Sequence, residues 1–236
     1  MTSNQRIRWI AKPALFLGSL GPAAWLVAAA LTGKLSVNPL ADITNETGVW
    51  ALRFLCLTLA ITPLRRITGW NGAIRFRRML GLFAFFYGSL HLLIYLAADR
   101  LAGLDLPAGL VAWQTVRDLA GATISDIVKR PFITIGFASW LCMVPLAITS
   151  TTGMIRRLGG RRWQLLHRLT YVAVAAAVLH YWWLVKADVR RPEWYALGAG
   201  SLLAFRAWQW IRSTRGSHAR RSEARIADNP ALRRSS

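Results

Sequence analysis

Three histidines stand in stretches otherwise apolar enough to sit in lipid: His91 in "FFYGSLHLLIYL", and His167 and His180 at the two ends of "HRLTYVAVAAAVLH". An ionisable side chain inside a bilayer is costly unless it is partnered, so each is a functional candidate by default. A single buried histidine is more often a hydrogen-bonded structural residue; three on two segments ask for more. No carboxylate shares the interior of these stretches, which leaves no acid relay for protons and no oxygen-rich site for a hard metal. Neutral imidazole is a good iron ligand, and a flat haem clamped between two helices needs one imidazole from each. C-x-x-C-H is absent, so such a haem would be held without thioether bonds. Cys56 and Cys142 are isolated, mid-span thiols of the packing kind, and His218 falls in a polar tail where it is solvated.

The elements that must position these rings are membrane helices. The chain has 236 residues, is 54% hydrophobic and contains twelve Trp, yet carries a net charge of +20, so its polar residues are gathered rather than spread. Apolar blocks of about twenty residues, at about 1.5 Å per residue, match a hydrocarbon core of about 30 Å. Six spans are read, at about 13–31, 48–64, 79–97, 132–150, 163–184 and 193–211. The fold class is therefore all-α, a six-helix transmembrane bundle over residues 1–211, with a basic and disordered tail over 212–236. Placing both termini in the cytoplasm gathers 20 of the 30 basic residues on that side, as the retention of Lys and Arg requires. Only Glu223 and Asp228 among the acids then fall inside. The first span reads as a retained anchor rather than a cleaved signal.

A basic protein of this kind meets anionic lipid headgroups, and no nucleic-acid partner is expected. Trp9, Trp50, Trp70, Trp163, Trp182, Trp183, Trp194 and Trp210 sit near span ends, where indoles anchor at the interface. The external loop at about 98–131 contains "PAGLVAWQTVRDLAGATISDIV", apolar enough for a helix along the membrane surface or beneath a partner. No internal repeat is evident.

Depth selects which imidazoles meet. His91 lies 13 residues beyond Arg78, about 20 Å of rise, and His180 lies 18 beyond Arg162, about 27 Å, so both approach the external side. His167 lies near the cytoplasmic start of the fifth span. On a straight helix, His167 and His180 point about 140° apart, so they need not share a partner. Gly88, one turn before His91, and Ala173, Ala176 and Ala177 on the face of His180 leave room for a macrocycle, although small residues also simply let membrane helices pack. Arg53 and Arg206 lie within spans; either they snorkel to an interface, or Arg53 meets a haem propionate.

The segments "RRMLGLFAFFYGSLHLLIYL", "KRPFITIGFASWLCMVPLAITS" and "RRLGGRRWQLLHRLTYVAVAAAVLHYWW" resemble the MsrQ family, the haem-binding membrane subunits of the bacterial periplasmic methionine-sulfoxide reductase system. That family sits within the ferric-reductase-like transmembrane domains, and the resemblance covers all but the tail. It implies an inner (cytoplasmic) membrane location, b-type haem, FMN as a further cofactor, and a periplasmic molybdenum-containing partner that reduces methionine sulfoxide. It implies electrons drawn from the quinone pool or a cytoplasmic flavin reductase. The family's histidines map onto His91, His167 and His180. The wider group commonly carries a fourth histidine and a FAD/NAD(P)H domain, and this chain has neither. For FMN, the basic loop with Arg77, Arg78, Arg161 and Arg162 is the place to look, a lipid-headgroup role being the alternative. At this point an electron-transfer subunit leads, since haem iron with both axial positions filled has no open site for substrate. A stand-alone ferric or quinone reductase of the same fold, and a transporter, stay open as alternatives.

Overall fold

The computed structural model describes residues 2–96, 113–185 and 190–228. Among the described residues all regular structure is helical: α1 (Ser3–Arg6), a π turn (Ile7–Ala11), α2 (Lys12–Leu31), α3 (Pro39–Thr68), a 3-10 turn (Asn71–Ala73), α4 (Ile74–Leu96), α5 (Trp113–Lys129), α6 (Pro131–Ile148), α7 (Thr152–Leu166), α8 (Leu169–Leu184) and α9 (Arg190–Asp228). Local chemistry sets the boundaries. Asn38 caps α3 by accepting the Ala41 N–H at 3.2 Å, with Pro39 in the first turn where its missing donor costs nothing. Gly69, at φ 68°, ends the same helix in the left-handed conformation. Thr151 caps α7, which is broken within itself at Gly159 (φ 73°, ψ 153°).

Four helical stretches are long and apolar enough to cross a bilayer: Asn4–Leu31, Pro39–Thr68, Asn71–Leu96 and Pro131–Ile148. The remaining two expected spans differ from the sequence reading. The stretch 163–184 is not one helix: 163–166 close the arginine-rich α7, the chain turns at His167 and Arg168, and the apolar helix is the 16-residue α8. The stretch 193–211 lies in α9, where Arg206, Gln209 and several tryptophans dilute the apolar run. That helix continues to Asp228, into the segment read as a disordered tail. Of the expected external surface helix, α5 supplies the part from Trp113 onward, and the preceding residues lie outside the described ones.

Two helix pairs dominate the packing, α3 on α4 and α6 on α8, with α9 lying against α8 and α3. Leu59, Ala84, Tyr87, Ala173 and Val174 are wholly buried between them. Two prolines inside the spans, Pro22 and Pro63, have a polar side chain from a neighbouring helix beside them. Pro63 has no N–H for the Leu59 carbonyl one turn earlier. Arg206 of α9 donates to that carbonyl at 3.3 Å, to the Thr62 hydroxyl and to the Tyr171 hydroxyl at 3.2 Å. Arg206 is thus a tie between α9, α3 and α8 rather than a snorkelling end. On α2, beside Pro22, the Tyr87 hydroxyl donates to the Ser19 carbonyl at 2.8 Å and accepts the Ala23 N–H at 3.1 Å. Those two groups would bond each other in an unbroken helix, so the hydroxyl is inserted into the ladder and pins α2 to α4.

Candidate cofactor site

His91 comes from α4 and His180 from α8, and their rings stand with centroids 6.2 Å apart and planes at 75°. Each is held by the helix paired with its own. His91 Nδ1 lies 2.8 Å from the Thr44 carbonyl of α3, and His180 Nδ1 lies 2.6 Å from the Phe132 carbonyl of α6. A carbonyl oxygen only accepts, so both Nδ1 atoms carry the proton and both Nε2 atoms keep a free lone pair. Such an anchor, a ring N–H given to a backbone carbonyl, is the usual outer support of a metal-binding imidazole.

Glycines make these approaches possible. A Cβ on Gly48 would stand 3.0 Å from His91 Nδ1, and one on Gly136 would stand 2.7 Å from His180 Nδ1. Neither glycine, nor either carbonyl, figures in the sequence reading. The signal is a repeated spacing: Thr44 precedes His91 by 47 residues and Phe132 precedes His180 by 48, with a glycine four residues after each carbonyl. No internal repeat is evident in the side chains because this one is carried by two backbone carbonyls and two glycines.

The two imidazoles face a cavity of about 440 Å³ walled by α3, α4, α6 and α8 and covered by Thr123 and Ile127 of α5. Tyr95 of α4 holds that cover by donating to Asp126 at 3.0 Å. An imidazole nitrogen sits about 1 Å from its own ring centre and about 2 Å from a bound first-row metal, which puts two rings on one metal about 6 Å apart. The observed 6.2 Å matches. Among the described residues no group of three or more His, Cys, Asp or Glu side chains could cage a bare ion. Two imidazoles alone suit a metal that brings its own equatorial ligands, as haem iron does. Gly88 lines this cavity, but a Cβ there would first meet the Met143 methyl at 2.9 Å, so its immediate service is to methionine packing.

The other sequence candidates fall elsewhere. His167 lies at the turn between α7 and α8, with Trp163 against its ring at 3.9 Å between centroids and the Thr149 hydroxyl 3.3 Å from Nε2. With Arg77, Arg78 and Arg168 it lines a second cavity of about 500 Å³. Among the described residues lining that cavity there is no second histidine. Arg161 and Arg162 are exposed on α7 and line neither cavity, which separates them from Arg77 and Arg78. Arg53 also lines neither: its guanidinium lies 4.4 Å over Trp50 and its Nε donates to the Tyr195 hydroxyl at 2.8 Å. Leu55 and Met143 border both cavities and form the wall between them.

Comparison with known proteins identifies the family. Residues 47–178 match the family model described as ferric reductase like transmembrane component. Over 200 residues the chain is 50% identical to the protein-methionine-sulfoxide reductase heme-binding subunit MsrQ of Ralstonia nicotianae, covering 84% of each chain. It is 45% identical over 209 residues to the subunit of the same name from Herminiimonas arsenicoxydans, covering 87% of this chain and 88% of the relative. The Xanthomonas oryzae pv. oryzae counterpart is 47% identical over 219 residues, covering 90% and 92%. No solved structure matches.

Proposed function

The chain belongs to the MsrQ family of protein-methionine-sulfoxide reductase haem-binding subunits, and from that premise we propose that it holds a b-type haem between His91 and His180 and passes electrons outward through the bacterial inner membrane. The acceptor in this reading is a periplasmic, molybdenum-containing reductase subunit that repairs methionine sulfoxide in oxidised proteins. The observation that carries it is the paired imidazoles, 6.2 Å apart, each with Nδ1 committed to a carbonyl and Nε2 left to bind metal. The haem would supply one-electron redox chemistry; the chain's part is to fill both axial positions, keep water out and leave no open coordination site for substrate. This makes the chain an electron-transfer subunit rather than the catalytic one. The paired imidazoles weigh against the transporter; a stand-alone ferric or quinone reductase of the same fold would hold the same haem and differs only in its acceptor.

The topology proposed is six spans with both termini cytoplasmic, on the charge distribution of the loops. The inner cavity then opens toward the cytoplasmic leaflet. Its His167 is a candidate ligand for a second haem, and Arg77 and Arg78 are candidates to meet the phosphate of FMN. Electrons would enter there from the quinone pool or a cytoplasmic flavin reductase. Arg161 and Arg162, exposed on the same side, fit contact with anionic lipid headgroups.

The test is the optical spectrum of the purified chain, with haem counted as the pyridine haemochrome and flavin assayed beside it. The wild type should show b-type bands that sharpen on reduction, and His91→Ala and His180→Ala should each lose the outer haem. A protein without such bands, or both variants with unchanged haem, ends this reading.

A further inference from the structure

Resting on the haem reading, we infer that Gly48 and Gly136 are positioning residues for the two axial imidazoles, each uncovering a helix carbonyl that fixes the ring's tautomer, its plane and hence the redox properties of the iron. In an α-helix the carbonyl of residue i already accepts the N–H of residue i+4. Its second lone pair can be reached only from the flank. Because helical side chains lean toward the N-terminus, the Cβ of residue i+4 covers that flank. Thr44 with Gly48, and Phe132 with Gly136, are both i and i+4 pairs. A residue with a side chain at either glycine would close the carbonyl to the imidazole.

The distances make this specific. From a Cβ on Gly136, His180 Nδ1, Cε1 and Cγ would stand at 2.7, 2.8 and 3.0 Å; from one on Gly48, those atoms of His91 would stand at 3.0, 3.1 and 3.6 Å. The obstructed group is a ring held by its hydrogen bond, and it must shift. Other glycines of the spans are not of this kind: a Cβ on Gly81 would meet Thr58 Cγ2 at an ordinary 3.8 Å, and nothing stands within 4 Å of one on Gly18 or Gly21. The seats belong to different helices, α3 and α6, and they set the rings at 75° to one another. Near-perpendicular axial planes give ferric low-spin iron a strongly anisotropic paramagnetic signal. The Nδ1–H bond makes each imidazole a stronger donor, which favours the ferric state.

The experiment uses the full chain in detergent or nanodiscs, read by haem content, low-temperature electron paramagnetic resonance and midpoint potential. It is repeated in a His167→Ala background so that only the outer site contributes. The wild type should give the strongly anisotropic low-spin signal. Gly136→Ala, the tighter seat, and then Gly48→Ala should alter that signal and move the potential upward, while Gly18→Ala, where a Cβ meets nothing, leaves both as in the wild type. Loss of haem from the two seat variants at wild-type helical content, with Gly18→Ala still loaded, supports the same conclusion. Full haem with wild-type signal and potential in both seat variants overturns it. If neither seat variant can be isolated, the wild-type spectrum decides: a rhombic signal of near-parallel ligand planes overturns the inference, and the anisotropic one supports it. A wild type without haem instead fails the functional reading beneath it.

Discussion

Replacing Tyr87 by Phe tests whether a hydroxyl threaded into another helix holds the bundle together without touching the cofactor site. The ring stays, and with it the stacking on Phe54 at 5.4 Å and the edge contact with Phe86 at 5.1 Å. Only the oxygen goes, and with it the bonds to the Ser19 carbonyl and the Ala23 N–H of α2. Hydrogen bonds between membrane helices contribute about 0.6 kcal/mol each on average and about 1.7 at most. Two of them in a wholly buried position therefore contribute about 1–3 kcal/mol, provided Ser19 and Ala23 stay apart in the variant. Pro22 is the reason to expect that, since a proline inside a helix removes a ladder bond and weakens the turn around it. The assay is unfolding in graded SDS, followed by helical signal and by haem absorbance. The midpoint should fall while haem content and potential stay as in the wild type, because His91 is seated by α3 and not by α2. An unchanged midpoint would refute the insertion as a structural tie, and a changed potential would refute its separation from the site.

Arg206→Leu should lower stability by about 2–4 kcal/mol, since it strands the Leu59 carbonyl together with the Thr62 and Tyr171 hydroxyls. Adding Pro63→Ala supplies that carbonyl with an N–H and should recover part of the loss in the same SDS titration; additive losses would sink the explanation. Thr149→Val removes the hydroxyl beside His167 Nε2 and should alter only a spectral component that His167→Ala also alters. A change in the outer haem's signal in that variant would mean the two cavities are not separate sites.

The membrane class and the level at which two histidines meet are legible from composition and from rise per residue alone. Counting from Arg78 along α4 puts His91 toward the external side, and the rings of His91 and His180 stand together, although the count from Arg162 to His180 crosses the turn between α7 and α8. The fifth span is less legible. Trp163, Leu165 and Leu166 continue the apolar pattern of α8 backward, so nothing in the periodicity marks the turn at His167 and Arg168, which depends on how the arginine-rich α7 packs. Gly48 and Gly136 read as ordinary small packing residues until the partner helix is in place, because their function is to leave a carbonyl uncovered. Arg53 shows the reverse error of scale: an arginine at the right depth for a propionate is turned aside, onto Trp50 and Tyr195.

On the electron-transfer reading, the two cavities present opposite electrostatic surroundings. Arg77, Arg78 and Arg168 line the inner one, and among the described residues no carboxylate lines it. Positive charge there stabilises an added electron or an anionic cofactor group. The outer cavity has Arg130 in its wall, and that guanidinium is 3.8 Å from the Asp126 carboxylate. An electron moving outward past Leu55 and Met143 therefore leaves favourable surroundings for nearly neutral ones. A membrane potential negative inside acts in the opposite sense and favours outward movement of negative charge, by about 2.3 kcal/mol per 100 mV for a full crossing. Reduction of an acceptor on the outer face by a reductant on the inner face should consequently slow when the potential is collapsed. In proteoliposomes with the chain in one orientation, a potassium gradient with valinomycin sets the potential and the absorbance of the outer haem reports the rate. Equal rates with and without the potential would show that the electron crosses no substantial part of the field between the two cavities.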